Sequence, residues 1–413
     1  MTVPVVLARL ARARAISTQT ATLDLRRWRA ALAEERHLPP VRRAQLTAVT
    51  VIVHDLAARG ALTAGRLPEV FLMLERNMQW WWHGPLLSYG QRVAFAGSAL
   101  EWEYYPGAGI QLQVLGTFGE ANGFYEAGRA DWPRLTALMN EMIPLAVPRG
   151  GGLAWEYLFP WEGGSPPWVS AMAQATALEA LANAYRVSHD PIYLSTGEQA
   201  LGILETPPPV GVAQTTALGT RFLQYSFAPQ TDIINAFLQT LIGLDDFAQV
   251  SGDVTAQRLF RSGDAQAQAE LPSFNTGAWS LYQPGESDDL SYHQLVTGFL
   301  QTLCGLTRTP LYCATAQDFS ADLTTPPTIV QRTLSVRARH LAHLVFRLDK
   351  PARVGVIVTA PRGRDVLYTS ADCQPGTDYW ILPKLARGTY AVTLSATDLA
   401  GNYRTVSGTL RVR

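Results

Sequence analysis

Lysine is nearly missing from this chain. Lys350 and Lys384 are its two lysines, and every other basic side chain of the thirty-four is arginine. Anion recognition therefore falls to planar guanidinium forks rather than to ammonium point charges. Net charge is missing as well: thirty-four acidic residues balance the basic ones. The field of the whole molecule gives no argument for nucleic acid or an anionic membrane as partner. No run is long and apolar enough to span a bilayer. The opening "MTVPVVLARLARARAIS" is broken by Arg9, Arg12 and Arg14, which makes a poor signal peptide. Cysteine is scarce, at three, and no CxxC pair or histidine cluster suggests a metal site. Cys304 and Cys313 bracket "CGLTRTPLYC", a span short enough to close a small disulfide loop, with two free buried thiols as the alternative. If paired, they imply an oxidising compartment. With the β-rich tail described below, they point to an extracytoplasmic or cell-surface location.

What the chain does have is length, apolar content and tryptophan. At 413 residues and 47% hydrophobic residues it is globular and large enough for two domains. Its tryptophans cluster near turns, in "WWWHGP" (80–85), "LEWEYYPG" around Trp102, and then Trp155, Trp161, Trp168 and Trp279. Such clusters with interleaved carboxylates read either as the core of a large domain or as an aromatic-lined cleft for sugar rings.

Helical periodicity dominates to about residue 323. Two amphipathic helices over 20–60 are split at "HLPPVRR", where Pro39 and Pro40 stop one and start the next, and "RLPEVFLMLERNM" is a third. "RVAFAG", "ALEWEYY" and "GIQLQVL" alternate apolar and polar residues around turn signals, as a small β-hairpin or meander does. "DWPRLTALMNEMIPLAV" opens with Asp131 as N-cap and Pro133 in the first turn. "PPWVSAMAQATALEALANAYRVSHD" carries Ala, Leu and Met at three- and four-residue steps. Paired helices with short links suggest an α/α toroid (an incomplete α/α barrel) over 1–330, with N-terminal helices over 1–80. From about Leu334 to 413 short β-branched runs such as "RVGVIVTA" and "TYAVTLSATD" recur at turn spacing. That is the pattern of an immunoglobulin- or fibronectin-like β-sandwich.

"GGLAWEYLFPWEGGSPPWVSAMAQATAL", "QYSFAPQTDIINAFLQTLIGLDDF", "SFNTGAWSLY" and "SYHQLVTGFLQTL" together resemble the C-terminal domain of the D-glucuronyl C5-epimerases, the heparosan-glucuronate 5-epimerase type. The resemblance runs from about Gln91 to Leu323, and it implies the toroid that the helix pattern suggests. It also implies inversion at C5 of a hexuronic acid within a polysaccharide, with no cofactor. A base removes the C5 proton, which the neighbouring carboxylate acidifies, and an acid on the other face returns one. Tyrosine serves as base when cations or hydrogen bonds pull its pKa down from about 10.

Carried over residue by residue, the family's tyrosines fall on Tyr225 of "LQYSFAP", Tyr282 of "NTGAWSLY" and Tyr292 of "LSYHQ", with His293 beside the last. Two positions depart from the family. An acidic residue before the first tyrosine is Gln224 here, and an arginine three residues after the second is Gly285. Arg221 is a candidate substitute clamp for the substrate carboxylate. Glu101, Glu103, Glu156, Glu162, Glu286, Asp288 and Asp289 are candidate acids or bases, although Asp288 and Asp289 also suit a helix start. Trp102, Tyr104, Tyr157 and Trp168 are expected to line the sugar site, together with Gln174, Asn275, Trp279 and Gln224. A lyase on the same scaffold, eliminating the C4 substituent from the same carbanion, and a non-catalytic glycan-binding protein are the alternatives. The expected partner is a uronate polymer, with a homodimer compatible and neither nucleic acid nor a membrane span expected.

Overall fold

The computed structural model describes residues 1–413. Its contacts divide the chain into two units, Met1–Asp232 with Gln239–Ala267, and Ile233–Leu238 with Gln268–Arg413. This division falls elsewhere than the change in composition near Leu334, because a helical hairpin groups with the β-rich tail.

The first unit opens with α1 (Val3–Arg12), α2 (Thr18–Glu35), α3 (Pro40–Ala58) and α4 (Leu67–His83). Pro39 and Pro40 sit at the N-cap and first turn of α3, where a missing N–H costs nothing. β1 (Arg92–Val93), β2 (Trp102–Tyr105) and β3 (Gly109–Leu112) form the expected antiparallel meander. α5 (Val114–Glu126) and α6 (Trp132–Met142) follow. Asp131 stands at the N-cap of α6 but makes no cap hydrogen bond, and its carboxylate instead accepts from Arg134 at 2.7 Å. A β4–β5 hairpin (Val147–Arg149, Gly152–Ala154) leads into a long irregular segment and then α7 (Ala171–Ser188) and α8 (Pro191–Glu205). Helix α7 starts later than its apolar pattern does, because Ser170 caps it by accepting from the Ala173 N–H. Trp168, just upstream, is drawn into an extended bridge with Tyr157.

Thirteen of the eighteen residues of α7 are buried, as befits a helix enclosed on all sides. After the β6–β7 hairpin (Ala213–Thr215, Thr220–Phe222) come α9 (Ile234–Ser251) and α10 (Val254–Glu270). The division into units passes through the first turns of α9. Gly243 of α9 lies so close to α7 that a Cβ there would stand 2.1 Å from the Ala175 carbonyl oxygen, so α9 and α7 meet backbone to backbone.

The second unit contains the β8–β9 hairpin (Leu281–Gln283, Glu286–Ser287), α11 (Leu290–Thr307) and α12 (Pro310–Asp322). Eight strands follow: β10 (Ile329–Gln331), β11 (Ser335–Val336), β12 (Ala342–Leu348), β13 (Ala352–Thr359), β14 (Asp365–Cys373), β15 (Gly376–Leu382), β16 (Gly388–Asp398) and β17 (Tyr403–Val412). They form two sheets, β10-β12-β15 and β11-β17-β16-β13-β14. Both sheets contribute to one buried cluster that includes Leu344, Phe346, Val354, Val356, Val392 and Leu394. The alternating burial of β13 and β16 is the period-2 signal of strands with one face in a core.

Cys304 of α11 and Cys313 of α12 are joined in a disulfide, and Cys373 is buried and free. The crosslink closes a short loop, so serine at both positions is expected to cost about 2–3 kcal/mol. The same loss should follow reduction of the wild type in urea titrations; an unchanged midpoint on reduction would refute it. No helix is long and apolar enough to cross a membrane.

Candidate active site

In the first unit an aromatic wall forms where the segment after β5 folds over the segment after β7. Tyr157 stacks on Trp168 with centroids 4.1 Å apart and planes 11° apart. Trp168 presents its edge to Tyr225 at 5.6 Å, and Tyr225 stacks on Phe227 at 5.3 Å. Gly164 makes this approach possible, since a Cβ there would lie 2.5 Å from the Phe227 ring. Tyr105 extends the wall through a stack on Phe159 at 4.3 Å and an edge contact with Trp161 at 5.7 Å. Tyr89, 61% exposed, stacks over Trp161 at 6.4 Å and 13°. Of these rings Tyr89, Trp161, Tyr225 and Phe227 keep exposed area, while Tyr105, Tyr157, Phe159 and Trp168 are buried behind them; flat exposed rings suit the C–H faces of pyranoses.

Beneath the wall lies a closed polar bracing. Glu156 is wholly buried and accepts from Arg66 at 2.5 and 2.8 Å and from Arg149 at 2.6 Å. Among the candidate acids and bases it is therefore a structural anion, held by two guanidinium groups. Gln174 is buried too; it donates to the Trp155 carbonyl and accepts from the Trp155 N–H, so it fixes the segment and has no group left for a sugar.

Strand parity corrects two further expectations. Trp102 and Tyr104 point into the core, Trp102 against Phe95 and Tyr104 against Trp81 with its hydroxyl donating to Gln45. Successive strand residues face opposite ways, so Glu103 and Tyr105 are the residues of β2 that face the wall. The alternation in "EWEYY" was the signal that could have found them. Tyr105 and Tyr157 are joined through Gln113, which donates to the Tyr105 hydroxyl at 2.9 Å and accepts from Tyr157 at 3.2 Å. Burial first pushes both phenols well above the ordinary tyrosine range, with nearby Glu103 next for Tyr105 and Tyr225 the next raising neighbour for Tyr157. Both stay protonated, the Tyr157 proton being donated to Gln113, and neither can serve as a phenolate base.

Gln224 is half-buried and its side-chain oxygen accepts from Ser170 at 3.0 Å. Arg221 is ion-paired with Asp232 at 2.7 Å, so a substrate carboxylate would have to share or displace that partner.

In the second unit the rings of Tyr282, on β8, and Tyr292, in the first turn of α11, stand 5.0 Å apart and inclined by 52°. Tyr292 is 39% exposed. Asp289 caps α11 by accepting from the Tyr292 N–H at 2.8 Å. Asn275 makes a turn of its own, accepting from the Gly277 N–H and donating to Asp318. His293 does not accompany Tyr292 to the surface. It is fully buried, stacked on Trp279 at 3.8 Å, and Trp279 is itself buried with its indole N–H donating to the Asp288 carbonyl. Neither ring is placed to touch a substrate, because both are spent on holding the tyrosine pair.

The protons of this buried network follow from counting donors. His293 Nε2 is 3.0 Å from the Phe319 carbonyl oxygen, which only accepts, so Nε2 carries the proton. Burial holds the imidazole pKa down to about 4, so the ring is neutral and Nδ1 accepts. The Ser280 backbone N–H donates to Nδ1 at 3.3 Å, with the Ser280 hydroxyl 2.7 Å from the same nitrogen. That hydroxyl donates to Asp288 Oδ2 at 2.5 Å, which partly offsets the cost of burying the carboxylate. Burial is also what raises Asp288 to about 6. A raised folded pKa gives stability that is present below the unfolded value and lost as pH rises through about 6. Asp288→Asn keeps an acceptor for the Ser280 hydroxyl and removes that titration. The variant is expected to match the wild type at pH 4 and exceed it by about 1–3 kcal/mol at pH 8. Urea titrations at the two pH values test this, and a variant less stable than wild type at pH 8 would show that the carboxylate is stabilised in the fold rather than penalised by burial.

The first unit thus carries an aromatic wall and the second a paired tyrosine site. Residues 152–321 match the family model described as D-glucuronyl C5-epimerase C-terminus, the family that the motifs resemble. A D-glucuronyl C5-epimerase of Caenorhabditis elegans is 27% identical over 217 residues, covering 48% of this chain and 34% of that protein. An uncharacterized protein of Methanocaldococcus jannaschii is 26% identical over 137 residues, covering 32% of this chain and 44% of that one. The chain thus spans between a third and a half of the length of these curated relatives. Among solved structures, a cellobiose 2-epimerase from Spirochaeta thermophila covers 66% of this chain and 71% of its own at 15% identity and a TM-score of 0.40. A sugar epimerase from a ruminal bacterium covers 51% and 58% at 13% identity and 0.36. Likeness at these scores carries no argument here.

Proposed function

We propose that the chain is a carbohydrate epimerase of the uronate C5 type, acting on a hexuronic-acid polymer such as heparosan. The observation that carries this reading is the family match over 152–321, which spans the aromatic wall, Tyr225 and the Tyr282–Tyr292 pair. In the proposed step a tyrosinate takes the C5 proton and the electron pair moves into the carboxylate as an enolate. A phenol on the opposite face then returns a proton to C5. One phenol ends protonated and the other ionised, and solvent resets them. Tyr282, Tyr292 and Tyr225 are the proposed proton-transfer groups, with Arg221 the proposed partner of the substrate carboxylate. Tyr89 and Trp161 are proposed to receive sugar faces, backed by the buried Phe159 and Trp168. Tyr157 and Tyr105, buried and kept protonated, are proposed to brace that surface.

The enclosed helix α7 with its flanking helices supports reading the helical part as an α/α toroid. The sheet orders support an immunoglobulin- or fibronectin-like tail, since first, third and sixth strands pair in one sheet while the eighth, seventh and fourth run side by side in that order in the other. Gln224 and Gly285, where the family carries an acid and an arginine, favour a second reading as a glycan-binding protein without turnover.

Incubation with heparosan in heavy water, followed by proton NMR, tests both readings. Loss of the H5 signal with the chain intact supports the epimerase. Vinylic signals would replace it with a lyase, and binding without exchange would replace it with the second reading.

A further inference from the structure

Charge is balanced over the whole chain but not along it. Between 329 and 413 there are thirteen Arg and Lys against five Asp and no Glu, so the β-rich tail carries about +8 and the remaining chain the opposite. Part of that charge converges on one cavity of about 650 Å³ lined by Arg337, Ala338, Arg339, His340, Ala386, Arg387 and Arg413. No acidic side chain is among these residues. The ion pairs of the tail are Lys350–Asp398 and Arg353–Asp372, and the cavity arginines are in neither. Three of the cavity arginines, Arg337, Arg339 and Arg387, carry the site, beside Arg413.

The backbone holds these three arginines in place. Arg339 has φ 58°, a left-handed conformation that a side chain adopts at a cost. Its N–H donates to the Leu385 carbonyl at 2.8 Å, and the Ala338 N–H donates to the Arg413 carbonyl at 2.7 Å. Segment 337–340 is therefore tied both to the turn that bears Arg387 and to the end of β17. His340 Nδ1 donates to the Ala338 carbonyl at 2.8 Å, which fixes the orientation of the ring. Like charges held together with no carboxylate between them repel, and a bound anion relieves that repulsion.

We propose that this cavity is a second glycan site, binding the carboxylate or sulfate groups of an acidic polysaccharide through Arg337, Arg339 and Arg387 and so retaining the polymer between turnovers. The proposal rests on the uronate-polymer reading above for the identity of the polyanion. Nucleic acid fits less well, because no tyrosine, tryptophan or phenylalanine lines the cavity to stack on bases.

The test compares full-length wild type with Arg337→Gln/Arg339→Asn/Arg387→Gln, asparagine being tolerant of the left-handed conformation. Binding to heparosan, to its sulfated counterpart and to a short DNA duplex would be measured by titration calorimetry from 50 to 300 mM salt. The triple variant is expected to bind heparosan about tenfold or more weakly at 150 mM salt, with a shallower salt dependence and unchanged kcat on a short oligosaccharide. A larger loss on the sulfated polymer would assign the site to sulfate, and an equal loss to carboxylate. Equal heparosan affinity in both proteins would overturn the proposal even if H5 exchange occurs. DNA bound more tightly than either glycan, with the same arginine dependence, would overturn it in favour of nucleic acid. Arginine-dependent heparosan binding without H5 exchange would keep the site and remove the epimerase reading.

Discussion

Tyr282→Phe and Tyr292→Phe are each expected to lower turnover of a uronate polymer by about 10²–10⁴-fold, the usual worth of a positioned general acid or base. Each change removes one oxygen and leaves the ring, so the 5.0 Å ring contact between the two persists and urea midpoints should shift little. Ring-preserving loss of activity separates proton transfer from packing, which alanine would not. Full activity in either variant would remove that tyrosine from the chemistry. Asp288→Asn, by contrast, acts behind the pair and is expected to change its stability profile more than its turnover.

Lys350→Met is expected to destabilise the second unit by about 3–5 kcal/mol, the range for removing one partner of a buried ion pair. Lys350 is 1% exposed, and its three ammonium protons have three acceptors. These are the Asp322 carbonyl at 2.8 Å, the Thr325 carbonyl at 2.5 Å and the Asp398 carboxylate at 3.0 Å. Methionine fills most of the volume, so the loss reports the uncompensated carboxylate rather than a cavity. Asp398 keeps its contacts with Asn402, which donates from both backbone and side chain, but loses its cation. Lys350→Met combined with Asp398→Asn should recover part of the loss. A cost under about 1 kcal/mol for Lys350→Met alone would mean that water replaces the ammonium group. Lys350 ties the end of α12 to β16, and the Asn402 side chain, donating to the Leu323 carbonyl and to Asp398, makes a second link; the α11–α12 hairpin lies in the same unit as the tail.

Much of this was legible in the order of residues. Pro39–Pro40 marked a helix boundary, β13 and β16 showed their period of two, and Asp289 stood where a helix start wants an acceptor. Local rules suffice there because each depends on a few neighbours in the chain. Helix α5 was not legible. "VLGTFGEANGFYE" carries three glycines that argue against helix, yet Phe118 and Phe124 are buried and Asn122 donates to the α7 carbonyl of Thr176. Tertiary burial outweighs propensity at this position.

The motifs by themselves determined which segments carry the chemistry and which family they resemble. They did not determine which of two adjacent residues faces it. Tyr292 and His293, or Trp102 and Glu103, differ by one position and lie on opposite sides of their elements. Only the tertiary structure decided that His293, Trp279 and Gln174 serve as buried supports while Tyr282, Tyr292, Tyr89 and Trp161 keep exposed area. It also decided that Arg337, Arg339 and Arg387, spread over fifty residues of a chain with no net charge, share one cavity. Side-chain direction and long-range convergence depend on packing between distant segments, and one-dimensional spacing does not encode them.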